Sequence, residues 1–130
     1  MPMSLVSVTV DETRRLITVR LIGNEPGQVY VDQALANYDR IDQPWRYNRL
    51  IDLRQYRGFM ALSEIEQVGR YWAKRMVGRI ERPRIALLTR DPLAHARIRS
   101  VGAMFTDIHF RAFKSRREAM DWLAEMEAAV

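Results

Sequence analysis

The sequence predicts a single α/β domain spanning residues 1–130, in which helices pack on a mixed β-sheet in the order ββαβαβαβα. Near the start, two alternating apolar and polar segments flank a short polar turn, which predicts a hairpin. Short apolar runs then alternate with segments of helical periodicity. Gly and Pro residues separate these segments, and no repeat, linker or low-complexity tract divides the chain.

The first half of the chain predicts two strands, a helix and a third strand. Gly23 ends the hairpin, and Pro44 disfavours helix at the residue before it. The adjacent apolar residues Leu50 and Ile51 predict a strand buried on both faces. The predicted bounds are Val6–Val10 and Leu16–Ile22 for the hairpin, Gln28–Ile41 for the helix and Tyr47–Leu53 for the third strand.

The second half predicts three helices and two strands. Ser63 with Glu66 and Ser115 with Glu118 match the capping box, and Asp91 before a proline is typical of a helix start. The predicted bounds are a helix at Ser63–Ile80, a strand at Arg84–Thr89, a helix from Pro92, a strand at Asp107–Phe113 and a last helix from Ser115 to Val130.

The composition excludes several kinds of site. The chain is 48% hydrophobic and 28% charged, which is typical of a globular domain, and it has no Cys for disulfides or thiolate zinc sites. His95 and His109 lie on different predicted elements, so we expect no metal site and no cofactor. The absence of a signal peptide or a membrane span predicts a cytoplasmic protein.

The basic charge has two interpretations. The formal net charge is +5, and only Lys74 and Lys114 of the 21 basic residues are lysines. Arginine suits phosphate and carboxylate groups, but a G- and C-rich genome also favours it without any function, and we prefer that explanation. A basic second helix could lie on an anionic membrane, although a solvated face is the simpler interpretation; its cations are Arg70, Lys74, Arg75 and Arg79. Nucleic-acid binding is not expected, because no recognised motif accompanies the charge.

The third strand and the segment after it are the best candidates for a site. A strand that ends in a loop is where α/β proteins usually bind ligands. Asp52 could act as a general base, but we favour a role as acceptor for backbone donors of the loop. No catalytic motif is present, so we expect a protein that is not an enzyme. Gly58 suggests a hinge in the loop that runs from Arg54 to Leu62.

An apolar and sulfur-rich set of residues surrounds this loop. Core packing is the simpler explanation for Trp72, Met76 and Phe105, whereas Phe59 and Met60 are harder to assign to a core. The candidate ligand-binding residues are Asp52, Arg54, Tyr56, Arg57, Phe59, Met60, Trp72, Met76, Met104 and Phe105.

The chain resembles the STAS domain, and more closely its SpoIIAA-like branch, which is related in shape to lipid-binding CRAL-TRIO domains. In SpoIIAA-like antagonists of anti-sigma factors, the loop after the third strand carries a phosphorylated serine. Here the only hydroxyl in segment 52–58 is that of Tyr56, so the resemblance does not extend to this switch. The matching segments are the hairpin ending at Gly23, Leu50–Leu53 with Gly58 after it, Arg84–Leu88, and Phe113–Leu123 with its core-facing Trp122.

The resemblance and the residues together suggest two functions. The first is non-catalytic binding of a small apolar or lipid-like ligand, with transient membrane contact. The second is a protein–protein regulatory module without the serine switch. In the first case, the second and third helices would open over an apolar cleft, with Phe59 and Met60 at its mouth and Arg54 or Arg57 near an anionic head. The sequence leaves open whether the chain forms a homodimer.

Overall fold

The computed structural model describes residues 5–102 and 109–125, and its elements follow the predicted order. The predicted positions Met104, Phe105, Met126 and Val130 lie outside these ranges. The strands are β1 (Val6–Asp11), β2 (Leu16–Gly23), β3 (Asn48–Tyr56), β4 (Arg84–Leu88) and β5 (His109–Phe113). The helices are α1 (Gly27–Asp39), α2 (Leu62–Met76), α3 (Pro92–Gly102) and α4 (Arg116–Ala124), with a 3₁₀ turn at Pro44–Arg46.

The five strands form one mixed sheet in the order β1-β2-β3-β4-β5. The hairpin strands β1 and β2 are antiparallel, and every later neighbour is parallel. Val19 of β2, Ile51 of β3 and Leu87 of β4 lie side by side across the sheet. The predicted mixed sheet with packed helices is therefore confirmed, and β3 is its central strand.

Both faces of the sheet are covered. On one face, Ile17 and Val19 of β2 belong to a core cluster with Tyr30 of α1 and Trp72 of α2. On the other face, Leu16 of β2 and residues of the three later strands pack against α4. This second cluster contains Leu16, Leu50, Ala86, Leu88, Phe113, Ala119 and Leu123. The burial of β3 on both faces explains its adjacent apolar residues, as predicted.

Strand β3 is longer than predicted, because it continues to Tyr56 instead of ending at Leu53. Its pairing with β2 shifts by one residue. Arg20 pairs with Asp52, but Ile22 pairs with Gln55, so β3 contains one more residue than β2 between these two pairs. Such a bulge reverses the alternation of side chains beyond it. Tyr56 therefore turns to the α1 face, where its ring meets that of Tyr30 edge-on at 4.8 Å.

Helix α2 begins differently from the prediction. Ser63 and Glu66 do not form its cap, because Ala61 is the N-cap residue and Ser63 already lies in the first turn. The carboxylate of Glu64 accepts a hydrogen bond from the backbone N–H of Ala61 at 2.7 Å. Glu64 also lies against Gly27, where a Cβ atom would come within 2.5 Å of its carboxylate oxygen. The Glu64 carboxylate thus lies at the N-termini of both α1 and α2, where the helix dipole is positive.

The end of α2 also differs from the prediction, which placed it at Ile80. The helix stops at Met76, and Gly78 follows in the left-handed region with a φ of 74°. The backbone N–H of Arg79 donates to the Met76 carbonyl at 3.0 Å. Gly78 therefore terminates the helix, as is common for glycine after a C-cap.

The other two predicted helix starts are confirmed. Asp91 accepts a hydrogen bond from the backbone N–H of Leu93 at 3.0 Å, directly before α3. Ser115 accepts one from the backbone N–H of Glu118 at 3.4 Å and is the N-cap of α4. In both cases the side chain satisfies a backbone donor of the first turn.

Trp122 of α4 packs where it was expected, but it is less buried than expected. Its ring lies 5.5 Å from that of Phe113, and the guanidinium of Arg84 lies 5.3 Å from its centroid. The deeply buried residues of α4 are Ala119 and Leu123. Trp122 therefore closes the rim of this cluster, and Leu123 takes the central position.

A buried arginine joins β3 to α2. Arg49 is only 2% exposed, and its guanidinium lies 3.7 Å from the ring centroid of Trp72. Its Nη1 has no hydrogen-bond partner within the part of the chain that the structure describes. Burial lowers the pKa of Arg49 to about 10. The charged form is thus disfavoured by folding, and this penalty applies at every pH below that value.

Replacement of these two residues tests the arrangement. Trp72→Ala should reduce the free energy of unfolding by about 3–5 kcal/mol, since it removes a large ring and uncovers a buried cation. Arg49→Met should be neutral or stabilising, because it keeps the volume and removes the desolvated charge. Urea denaturation at pH 7 measures both values. Trp72→Ala should cost less in the Arg49→Met background than alone, and equal costs would mean that the stack contributes nothing.

Candidate functional site

The loop between β3 and α2 meets the first half of α3 at the carboxyl ends of the parallel strands. Arg97 of α3 donates a hydrogen bond from Nη2 to the carbonyl of Met60 at 2.9 Å. Its guanidinium lies 4.4 Å from the ring centroid of Phe59. The stack is a cation–π interaction, which fixes the ring beside a positive charge. The loop is therefore connected to α3 by one side chain through two contacts.

Around this connection lie large apolar side chains that the domain leaves exposed. Phe59 is 70% exposed, Leu62 50% and Leu93 75%. Leu93 precedes Arg97 by four residues on α3, so the two share one helix face. We refer to Phe59, Met60, Leu62, Leu93 and Arg97 as the carboxyl-end patch. An exposed apolar group of this kind, beside a cation, is typical of an interaction surface.

Gly58, which the sequence suggests as a hinge, has a packing role in the structure. Its φ is not positive, so no special backbone conformation requires a glycine there. A Cβ atom at this position would lie 2.8 Å from the ring of Tyr56. The glycine therefore allows the ring to pack under the loop. Burial raises the pKa of Tyr56, whose hydroxyl is buried without a hydrogen-bond partner in residues 5–102 and 109–125.

Asp52 lies on the opposite face of the sheet from α2, on the side that α4 covers. Its carboxylate accepts two hydrogen bonds from the Arg54 guanidinium at 3.0 and 2.9 Å and one from the Arg54 backbone at 3.1 Å. Arg20 lies 3.7 Å away. The favoured interpretation expected backbone donors of the loop, and the structure shows a backbone donor, that of Arg54, which lies in the extended part of β3. Burial would raise the pKa of Asp52, but the bonds and charges of Arg54 and Arg20 hold it below 3.8.

The structure therefore separates residues that the sequence grouped together. Arg54 pairs with Asp52 and does not reach the carboxyl-end patch, where an anionic head was expected to meet it. Arg57 is exposed in the loop, and its backbone N–H donates to the Gly23 carbonyl at 2.9 Å. At the patch itself, the cation that contacts Phe59 is Arg97.

Two further candidates belong to the core. Trp72 is 3% exposed and Met76 8%, so neither side chain is available to a ligand on the surface of the folded domain. This agrees with core packing, the simpler of the two interpretations of the sequence. The remaining candidates, Met104 and Phe105, fall outside the described residues.

The histidines do not form a metal centre with other described residues. His95 donates from Nε2 to the Thr89 carbonyl at 2.8 Å and so supports the turn between β4 and α3. His109 is exposed at the start of β5. Within residues 5–102 and 109–125, no group of three or more His, Asp or Glu side chains could hold a metal ion.

Sequence reasoning missed Arg97 and Leu93, whereas it placed Leu62 among the large apolar side chains of the loop. The predicted apolar face of α3 contained Ala94 and Ile98, and the neighbouring stripe of Leu93 and Arg97 was not considered. An exposed leucine four residues before an arginine was the available signal, because such residues lie together on a helix. The contact of Arg97 with the loop depends on how α3 packs against the rest of the domain, and local sequence patterns do not predict that packing.

Comparison with known proteins gives the fold. No protein-family model matches this sequence, and no curated protein matches it. Among solved structures, the chain is similar to an uncharacterized protein of the DUF3478 family with a SpoIIAA-like fold, from Shewanella loihica PV-4. The TM-score is 0.58 and the identity 17%, and the match covers 95% of this chain and 98% of that one. The chain has a SpoIIAA-like fold. The predicted resemblance to the STAS and SpoIIAA-like domains is thus confirmed for the fold.

The packing of Gly58 predicts the effect of adding one methyl group. Gly58→Ala should destabilise the protein by about 1–3 kcal/mol, because the Cβ atom would overlap the half-buried ring of Tyr56. In a Tyr56→Ala background, Gly58→Ala should reduce the free energy of unfolding by less than it does in the parent, since the ring that the Cβ atom would overlap is absent. Chemical denaturation measures all three variants. A Gly58→Ala protein as stable as the parent would mean that the ring does not pack under this loop.

The pairing of Asp52 predicts how stability depends on pH. Because its pKa is lower in the folded protein, Asp52 stabilises the fold above its unfolded value near 3.8, and this contribution is lost as the pH falls through the folded pKa. Asp52→Asn should therefore be less stable at pH 7 and should lose less stability than the parent between pH 4 and 2. Thermal unfolding followed across that range compares them. Parallel stability curves for the two proteins would contradict the proposed ion pair.

Proposed function

We propose that this protein is a non-catalytic binding module that holds a small amphipathic, lipid-like molecule with an anionic head on the carboxyl-end patch. The observation that supports this most directly is the placement of Phe59, which is 70% exposed with the guanidinium of Arg97 4.4 Å above its ring. An alkyl chain would cover the ring and the neighbouring leucines. The anionic head would contact the free edge of the guanidinium, because the planar guanidinium suits a carboxylate or phosphate.

The surroundings of the patch favour binding over catalysis. The polar groups nearest to it are engaged in supporting the backbone, since His95 donates to the Thr89 carbonyl, Asp91 caps α3 and Arg97 holds the loop. A catalytic acid or base needs a free position toward its substrate. The exposed charges around the patch include Arg57 and Arg90, which would attract an anion.

The position of the patch is consistent with this role. Loops at the carboxyl ends of parallel strands are the usual ligand-binding region of α/β folds. A SpoIIAA-like fold also suggests a binding or regulatory module, although fold alone does not decide function. The patch is open, so we infer that the ligand lies on the surface with one side still facing solvent or a partner.

The openness of the patch also supports the second candidate, a regulatory protein partner. Protein interfaces commonly place an aromatic and an arginine at the centre of the contact, as Phe59 and Arg97 would be. In that case the apolar side chains would meet those of the partner, and no small amphiphile would be needed. The two candidates use the same surface and differ in what occupies it.

Titration with a fluorescent fatty acid, dansylaminoundecanoic acid, distinguishes these candidates. Phe59→Ser with Leu93→Ser should weaken binding at least about tenfold, because each removes a large apolar side chain from the contact. Arg97→Gln should weaken binding of this anionic probe more than binding of a zwitterionic lysophospholipid. Val10→Ser is the control, since it removes an exposed aliphatic side chain of β1, outside the patch.

The alternative outcomes are distinct. If the probe does not bind the parent protein, or binds all the variants equally, the small-ligand proposal is wrong. If a protein from the host cell co-purifies with the parent and is lost with the Phe59→Ser and Leu93→Ser variant, the regulatory module is favoured. Lipid extraction followed by mass spectrometry of the purified protein would identify any natural amphiphile that remains bound.

A further inference from the structure

A second exposed apolar group lies at the other end of α2. Val77 is 77% exposed and Ile80 is 90% exposed, in the turn between α2 and β4. Ile80 lines a cleft of about 200 Å³ with Asn48 and Arg84, which are the first residues of β3 and β4. The turn therefore lies at the amino ends of the parallel strands, opposite the carboxyl-end patch. A Cβ atom at Gly78 would meet nothing within 4 Å, so this turn projects into open space.

Cations and an aromatic ring surround these two side chains. Arg79 lies between them in sequence and places its guanidinium 4.0 Å from the ring centroid of Trp45. Lys74 lies in the last turn of α2, and Arg82 lies shortly before β4. All three cations are exposed, and none forms an ion pair with a described residue. We call Trp45, Lys74, Val77, Arg79, Ile80 and Arg82 the amino-end surface.

Few acidic groups compete for this positive charge. Asp39 accepts hydrogen bonds from Tyr71 and Arg75, and Glu125 pairs with Arg84 at 3.3 Å. Two carboxylates of the region are therefore already occupied by other arginines. Asp42 is exposed, and Glu81 is half-buried in the same turn. The surface thus keeps an excess of unpaired cations around a protruding apolar tip.

We propose that the amino-end surface docks the protein reversibly on an anionic lipid bilayer. Val77 and Ile80 would enter the interface between head groups and acyl chains, while Lys74, Arg79 and Arg82 would contact lipid phosphates. Trp45 has the amphipathic ring that is commonly found at this depth. A bilayer fits better than a nucleic acid, because a nucleic acid gives two protruding aliphatic side chains no apolar phase to enter.

This docking is peripheral. In residues 5–102 and 109–125, no helix is long and apolar enough to cross a membrane. Each cation near an anionic surface is expected to change the binding constant by about fivefold, and a few aliphatic side chains add to this. The inference concerns the opposite end of the domain from the carboxyl-end patch, and it holds whether or not that patch binds an amphiphile.

Sedimentation of the full chain with phosphatidylglycerol vesicles tests the proposal. The parent should bind these vesicles, bind phosphatidylcholine vesicles weakly, and release as salt is raised well above about 0.1 M. Arg79→Gln with Arg82→Gln should weaken binding by about thirtyfold, at fivefold or slightly more for each cation. Arg116→Gln with Arg117→Gln removes the same charge at the start of α4, and this control should keep most of the binding.

The apolar tip has its own test. Val77→Ser with Ile80→Ser should reduce binding at least about tenfold and abolish the blue shift of tryptophan fluorescence on vesicles. If the blue shift is also lost in the Trp45→Phe variant, Trp45 is the tryptophan that contacts the bilayer. The Phe59→Ser and Leu93→Ser variant should bind vesicles like the parent. This result would show that vesicle binding does not depend on the carboxyl-end patch.

Three results of the vesicle experiments would overturn the inference. They are no sedimentation of the parent with anionic vesicles, equal loss of binding in the Arg116→Gln and Arg117→Gln control, and unchanged binding when Val77 and Ile80 are both serine. Competition by duplex DNA that persists in the Val77→Ser and Ile80→Ser variant would assign the cations to nucleic acid instead of lipid. Saturable binding of an acidic protein with no vesicle binding would likewise replace the bilayer.

Discussion

The positive charge of Arg49, buried between β3 and α2, constrains how the first face of the sheet is covered. Within the described residues no carboxylate pairs with it, and Trp72 of α2 lies over its guanidinium. That ring in turn packs edge-on against Tyr38 of α1 and Tyr71 of α2. A helix without a large ring at this position would leave a desolvated cation uncovered. The Arg49–Trp72–Tyr38 stack is thus one of the contacts that join α2 to the sheet and to α1.

Helix α2 links the two exposed surfaces, because one surface lies at each of its ends. Its first turn is fixed by Glu64, which accepts from the Ala61 backbone and lies against Gly27 of α1. Its last turn is fixed by Arg75, which binds Asp39 and stacks on Tyr71 at 4.0 Å. With both ends held to α1, the loop before α2 and the turn after it remain outside the core. Their apolar side chains are exposed because the packing of the helix is already complete without them.

The sequence predicted the element order and the mixed sheet, because strand alternation and helix periodicity are local patterns. It could not predict the bulge in β3, since a register shift depends on pairing with β2, and so it left Tyr56 in a loop. It also assigned the α2 cap to Ser63, a good capping residue, whereas Ala61 occupies that position and Glu64 supplies the bond. For the candidate site, Phe59 is an exposed loop residue beside α3, whereas Met60, which was hard to assign to a core from the sequence, is half-buried against the first core cluster and meets α3 only through its carbonyl. The partner Arg97 was not identified, because only the packing of α3 brings it to the loop.

The separation of the two surfaces has a consequence for how they could act together. Helix α2 has 15 residues, so its length places the carboxyl-end patch and the amino-end surface about 22 Å apart. A domain that rests on a bilayer through Val77 and Ile80 therefore turns Phe59 and Arg97 away from the lipid. A ligand on that patch would then be exchanged with the aqueous phase or with another protein, and not directly with the bilayer beneath. With the same geometry, an amphiphile on Phe59 would be accessible to a partner that approached a membrane-bound module from solution.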